Sequence, residues 1–116
     1  NEDALLLANT LNDATEKVLD NGKSPSRVVN ELDTRGSHFY LALYWAQKLA
    51  ALGVPLGDKF KSVCKQLVDN EQQIHNELLA AQGQAVDLGG YYLPDPKLAR
   101  QAMRPSTTFN SVLAQL

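Results

Sequence analysis

The stretch SHFYLALYWAQKLAALG, residues 37–53, decides the fold. It predicts a helix over residues 38–52, because Ser37 is a favourable N-cap residue and Gly53 suits the position after a helix C-terminus. Residues 39–46 leave no polar face, and only three polar side chains interrupt the apolar surface of this helix: His38, Gln47 and Lys48. A helix that is apolar on all sides is a buried one, so we expect it at the centre of the molecule.

Helical patterns lie on both sides of this segment. Apolar residues recur at helical spacing over residues 3–20, which predicts an amphipathic helix that ends at Asn21-Gly22. The same spacing predicts a long helix over about residues 59–82, capped by Asp58 and closed by Gly83. Between the first helix and the central one, Ser24-Pro25 predicts a short helix that runs to about residue 32.

The C-terminal third mixes an irregular segment with short helices. Residues 84–95 contain Gly89-Gly90 and Pro94 beside tyrosine and leucine side chains, which indicates a loop packed on the body. Asp95-Pro96 opens a short helix to about residue 103, and Ser106 or Thr107 caps a last one. The predicted fold class is therefore mostly α: a compact single helical region over residues 1–116, with about three main helices, short helices and one packed Gly/Tyr loop.

Length, charge and cysteine content narrow the functional classes. A chain of 116 residues is one domain, and its net charge of -2 does not favour nucleic acid as a partner. A single cysteine, Cys64, excludes an internal disulfide and fits a reducing, cytoplasmic compartment. No apolar run reaches the roughly 20 residues of a membrane span. The chain begins with Asn1 and not with Met, so we expect it to be processed or cut from a longer protein.

Few residues suggest catalytic or metal chemistry. His38 and His75 fall on different predicted helices, and no metal-ligand spacing is present. A structural histidine is the more common explanation for either one than a base. Cys64 lies on an apolar stripe, which is typical of a buried inert thiol. We expect no catalytic residue and no metal ligand in this chain.

One pattern favours anion binding. Residues 23–66 carry a net charge of +4, and within them Lys23-Ser24-Pro25-Ser26-Arg27 places hydroxyls and an arginine at a predicted helix N-terminus. The run Thr34-Arg35-Gly36-Ser37-His38 repeats the arrangement at the next helix. The alternative is two ordinary capped turns, in which Arg27 or Arg35 pairs with Asp33 or Glu31. From the residues alone, this alternative is the stronger one.

Three segments resemble the C-terminal region of the bacterial monomeric NADP-dependent isocitrate dehydrogenases. They are KSPSRVVNELDTRGSHFYLALYWAQKLA (23–50), QGQAVDLGGYYLPDP (82–96) and AMRPSTTFN (102–110), in the family's order. The resemblance implies a fragment of a larger α/β enzyme that converts isocitrate to 2-oxoglutarate with NADP and Mg or Mn, a reaction of the tricarboxylic acid cycle and glyoxylate bypass. It places this chain in the C-terminal part of the small domain.

The resemblance also assigns a site residue. It implies that Arg27 contacts the 2'-phosphate of NADP, with Arg35 as the fallback, and that the isocitrate and metal ligands lie outside this chain. The fragment alone is then expected to be inactive and to self-associate through surfaces left exposed. A free-standing helical interaction module without catalytic activity is the alternative.

Overall fold

Helix α2, Thr34–Ala50, lies at the centre of the fold, as its composition predicts. A computed structural model of the chain describes residues 1–83, 89 and 95–116. The helix packs against α1 (Glu2–Asp20), α3 (Pro55–Asp58), α4 (Lys61–Asp69) and α5 (Glu71–Ala80). It supplies more buried hydrophobic side chains than any other helix in the described part of the chain, among them Phe39, Leu43 and Leu49. A helix without a polar face needs neighbours on several sides, and these four helices provide them.

Helix α1 ends as the sequence predicts. Gly22 has a φ of 68°, and its N–H donates to the carbonyl of Leu19, while the N–H of Lys23 donates to that of Val18. These two bonds form a Schellman motif, which glycine allows because it adopts the left-handed conformation without a steric penalty.

The helix predicted from Ser24-Pro25 to about residue 32 is absent, and this prediction was wrong. Asn30 has a φ of 70°, which no helix accommodates, and the N–H of Ser26 bonds to the carbonyl of Leu32. Val28 and Val29 are 59% and 72% exposed, and β-branched residues favour helices weakly. The capping residues Ser24 and Pro25 favour a helix here, but the hydrogen bond between Ser26 and Leu32 closes the following residues into a loop instead.

The start of α2 also differs from the prediction. The helix begins at Thr34 rather than His38, and Asp33 is its N-cap, with a side-chain oxygen that accepts from the N–H of Gly36 at 3.0 Å. Ser37 lies one turn inside the helix. Helix α2 ends at Ala50, two residues before the predicted end. The prediction of Ser37 as the N-cap was wrong, because Asp33, which is an equally good N-cap residue, lies four positions earlier and takes this place.

The long helix predicted over residues 59–82 is divided into two, α4 (Lys61–Asp69) and α5 (Glu71–Ala80), and a short helix that was not predicted, α3 (Pro55–Asp58), precedes them. Asp58 ends α3 and does not cap the next helix. Asn70 separates α4 from α5 with a φ of -108° and a ψ of 11°, and its side-chain amide donates to the carbonyl of Gln66 at 2.8 Å. Asparagine competes in this way with the helical backbone, which explains the break between α4 and α5.

The two C-terminal helices agree with the sequence. Helix α6 is Pro96–Met103 with Asp95 as N-cap, and α7 is Thr107–Leu113 with Ser106 as N-cap. Helix α7 packs on α4 and α5, and Phe109 meets Phe39 edge to face at 5.2 Å between ring centroids. The packed Gly/Tyr loop predicted over residues 84–95 lies, apart from residues 89 and 95, outside the described residues.

The mostly α prediction is confirmed: the described part of the chain contains seven helices and no strand. None of these helices combines the length and the apolar character that crossing a membrane requires.

Candidate functional site

The loop between α1 and α2 carries Arg27 and is closed by its own hydrogen bonds. The N–H of Ser26 donates to the carbonyl of Leu32 at 2.6 Å. The Ser26 hydroxyl donates to a carboxylate oxygen of Glu31 at 2.8 Å and accepts from the N–H of Val28 at 3.1 Å. These bonds tie residues 26–32 into a compact turn of backbone, which we call the Arg27 loop.

Gln82, which follows α5, holds the Arg27 loop from outside. Its Oε1 accepts from the N–H of Asn30 at 2.8 Å, and its Nε2 donates to the carbonyl of Glu31 at 2.6 Å. Sequence reasoning missed Gln82, because its two partners lie 52 and 51 positions earlier and no local pattern signals them. We call this pair of bonds the Gln82 clasp.

Arg27 is exposed, and its guanidinium has no hydrogen-bond or ion-pair partner among the residues that the structure describes. It lines an open depression of about 240 Å³ together with Asp33, Arg35 and Gln82. The two arginines and the one carboxylate of this lining leave a formal charge of +1. The depression is therefore a surface on which an anion can reach Arg27 directly.

Arg35 borders the same depression, but each of its three guanidinium nitrogens already donates one hydrogen bond within the protein. Its Nε and Nη2 donate to one carboxylate oxygen of Asp33 at 3.1 and 3.0 Å, and its Nη1 donates to the carbonyl of Ala102 at 3.0 Å. The side chain is 18% exposed. Arg35 thus joins the start of α2 to the end of α6, which confirms the alternative in which Arg35 pairs with Asp33.

The pKa of Asp33 reflects this environment. Partial burial alone would raise it, but the bond from the Gly36 N–H and the neighbouring Arg35 guanidinium outweigh burial and hold the pKa below its usual value. The ionised carboxylate therefore occupies the N-terminus of α2, where its charge is favourable.

Neither predicted helix N-terminus offers a free anion site. No helix begins at Ser24-Pro25, so the expected helix-end donors do not exist beside Arg27. At the N-terminus of α2, the Asp33 carboxylate already accepts the hydrogen bond from the Gly36 N–H. The structure brings Arg27 and Arg35 to one depression, and of the two only Arg27 has a guanidinium free of protein partners among the described residues.

The remaining sequence candidates lie apart from one another. His38 is exposed on α2, whereas His75 is on α5 with a buried Nδ1 that has no partner in the described part of the chain. Cys64 is half-buried on α4, and burial raises the pKa of its thiol, which makes it a poor nucleophile. Within residues 1–83, 89 and 95–116, no group of three or more His, Cys, Asp or Glu side chains could hold a metal ion.

The sequence of this chain is similar to those of known proteins of one family. The family model of monomeric isocitrate dehydrogenase matches residues 1–114. The chain is 57% identical to isocitrate dehydrogenase [NADP] of Azotobacter vinelandii and 58% identical to isocitrate dehydrogenase [NADP] 2 of Colwellia maris, each over the whole chain. It is 53% identical, over 97% of its length, to isocitrate dehydrogenase [NADP] 2 of Mycobacterium tuberculosis. The chain spans only 15–16% of the length of these relatives.

Proposed function

This chain belongs to the monomeric isocitrate dehydrogenase family, and from that membership we propose that it is part of an NADP-dependent enzyme. The complete enzyme oxidises and decarboxylates isocitrate to 2-oxoglutarate, and this chain forms the C-terminal helical part of its small domain. The names of the relatives support NADP as the cofactor. The single free cysteine supports a reducing compartment, the cytoplasm.

The role proposed for this chain is to contribute Arg27 to the site of the NADP 2'-phosphate. The observation that carries it is the exposed guanidinium of Arg27, which lacks a protein partner in the described residues and faces an open depression. A planar guanidinium can form two parallel hydrogen bonds to a phosphate, which gives both charge and geometry. Arg35, the fallback, is less suited because Asp33 and Ala102 already engage its nitrogens.

The divalent metal of the proposed reaction has no counterpart in these residues. Mg²⁺ and Mn²⁺ prefer several oxygen ligands, and the described part of the chain holds no cluster of carboxylates that fits them. The family resemblance implies that the metal and isocitrate ligands lie in the remainder of the enzyme, and we assign this chain no step that involves the metal.

The test is the Arg27→Ser variant of the complete enzyme. Removing a hydrogen bond to a charged group costs about 1.5–3 kcal/mol, so we expect the KM for NADP to rise about tenfold to a hundredfold. The KM for NAD should change much less, because NAD lacks the extra phosphate. Arg100→Ser, at an exposed arginine on α6, is the matched control and should leave both constants unchanged. Equal losses for NADP and NAD would show that Arg27 is structural.

A further inference from the structure

We propose that Gln82 is a positioning residue for the cofactor phosphate, because the Gln82 clasp holds the Arg27 loop in the geometry that binding requires. This inference rests on the proposed role of Arg27. Gln82 does not touch the phosphate in this assignment. It acts through the backbone of Asn30 and Glu31, three and four positions after Arg27.

Leu32, at the end of the Arg27 loop, packs against the core, and the Gln82 clasp is the hydrogen-bonded link that holds the preceding residues 26–31. The other hydrogen bonds of residues 26–31 join this segment to itself or to Leu32. Among the described residues, the two bonds to Gln82 are the only ones that connect residues 26–31 to a different part of the chain. Without them we expect residues 26–31 to keep their own closure and to be held less firmly against Gln82, with which Arg27 lines the depression.

The chemistry of the clasp suits this role. A side-chain amide supplies one acceptor and one donor, and here each meets the complementary backbone group at a short distance. The bond to the N–H of Asn30 helps to hold that residue at a φ of 70°, the one positive φ of a non-glycine residue in the described ranges. Because the amide is neutral, it fixes the loop without competing with a phosphate for the guanidinium of Arg27.

Preorganisation gives the clasp a measurable effect. A loop that is already ordered does not lose conformational entropy when the ligand binds, so its contacts contribute more fully to affinity. Loss of the clasp should therefore weaken the contact that Arg27 makes, which is the contact to the 2'-phosphate. NAD should bind almost as before.

The experiment uses Gln82→Met in the complete enzyme, because methionine keeps the length of the side chain and removes both hydrogen bonds. We expect a severalfold rise in the KM for NADP, smaller than that of Arg27→Ser, with kcat and the KM for NAD unchanged. In an Arg27→Ser background, Gln82→Met should have no further effect on the KM for NADP. Gln82→Ala removes the same bonds and should give the same pattern. Gln72→Met, at an exposed glutamine of α5 whose side-chain amide donates to Asn76 within the same helix, is the control.

Hydrogen exchange supplies a readout that does not depend on the cofactor. Amides of residues 26–31 should exchange faster in Gln82→Met than in the parent enzyme, while those of α1 and α2 stay unchanged. Unchanged exchange in the loop overturns the inference, as does an equal rise in the KM for both cofactors or a further rise in the Arg27→Ser background. If Arg27→Ser raises the KM for NADP as expected and Gln82→Met does not, the inference about Gln82 is overturned and the proposed role of Arg27 stands. An Arg27→Ser enzyme with unchanged cofactor preference overturns the proposed function and the inference together.

Discussion

The carboxylate of Glu77 on α5 accepts two hydrogen bonds from Thr108 at the start of α7. One oxygen accepts from the N–H of Thr108 at 3.1 Å, and the other accepts from its hydroxyl at 2.6 Å. The first oxygen also accepts from the hydroxyl of Ser106 at 2.7 Å, and Gln73 donates to the second at 3.2 Å. A short helix of seven residues has little stability of its own, so this contact fixes α7 on the bundle.

Replacing Glu77 with glutamine should therefore destabilise the chain. The variant keeps the shape of the side chain but loses the charge and one acceptor, which leaves donors of Ser106 or Thr108 without their partner. We expect the free energy of unfolding to fall by about 1–3 kcal/mol in urea denaturation. Glu16→Gln, at an exposed carboxylate of α1 without a partner in the described residues, should change it by about 0.5 kcal/mol or less. An equal loss in both variants would contradict the proposed anchoring by Glu77.

The same contact predicts a pH dependence. Partial burial alone would raise the pKa of Glu77, but the bonds from Thr108, Ser106 and Gln73 outweigh it and lower the pKa from 4.5 to about 2. A carboxylate with a lowered pKa in the folded state stabilises the fold above its unfolded pKa and loses this contribution as pH falls towards its folded pKa. The stability difference between the parent chain and Glu77→Gln should therefore be full at pH 6 and shrink between about pH 4.5 and 2. A difference that stays constant over this range would contradict the pKa assignment.

The N-cap of α2 gives a third test, because sequence and structure select different residues. Asp33→Ala removes the bond to the Gly36 N–H and the partner of Arg35, and we expect a loss of about 1–2 kcal/mol in the free energy of unfolding. Ser37→Ala changes the residue that the sequence suggested as the cap. Ser37 is buried inside α2 and does not supply its cap, and alanine is smaller and favours a helix more, so this variant should cost about 0.5 kcal/mol or less. Thermal or urea unfolding of the two variants decides between them, and the reverse order of losses would restore Ser37 as the cap.

A fourth prediction concerns activity. The chain covers only about 16% of the length of its relatives, and its described residues contain no group of side chains that could hold a metal ion. We therefore expect that the isolated 116-residue chain does not oxidise isocitrate at any concentration of NADP and Mg²⁺. The measurement is NADPH formation by absorbance, with a complete family enzyme as the positive control. Turnover by the purified chain would show that the required residues are within it.

Local patterns predicted the helix ends whose partners lie close in sequence. Asn21-Gly22, Asp95-Pro96 and Ser106 mark the ends that the structure shows, because the hydrogen bonds that cap these helix ends join residues at most five positions apart. The same kind of reasoning failed at Ser24-Pro25. There the residues Ser24-Pro25 are typical of a helix start, but the left-handed backbone of Asn30 and the Gln82 clasp hold the following residues in a loop.

For the candidate site, the sequence by itself determined the family resemblance, the central helix and the identity of Arg27 and Arg35 as the two arginines to compare. Only the tertiary structure decided which of the two guanidinium groups is bonded to other parts of the described chain. Arg35 is engaged by the carbonyl of Ala102, 67 positions away, while the Arg27 loop is held by Gln82 from more than 50 positions away. Periodicity and capping report interactions within one or two helical turns. Contacts over such separations depend on how the helices pack, and packing is a property of the whole chain.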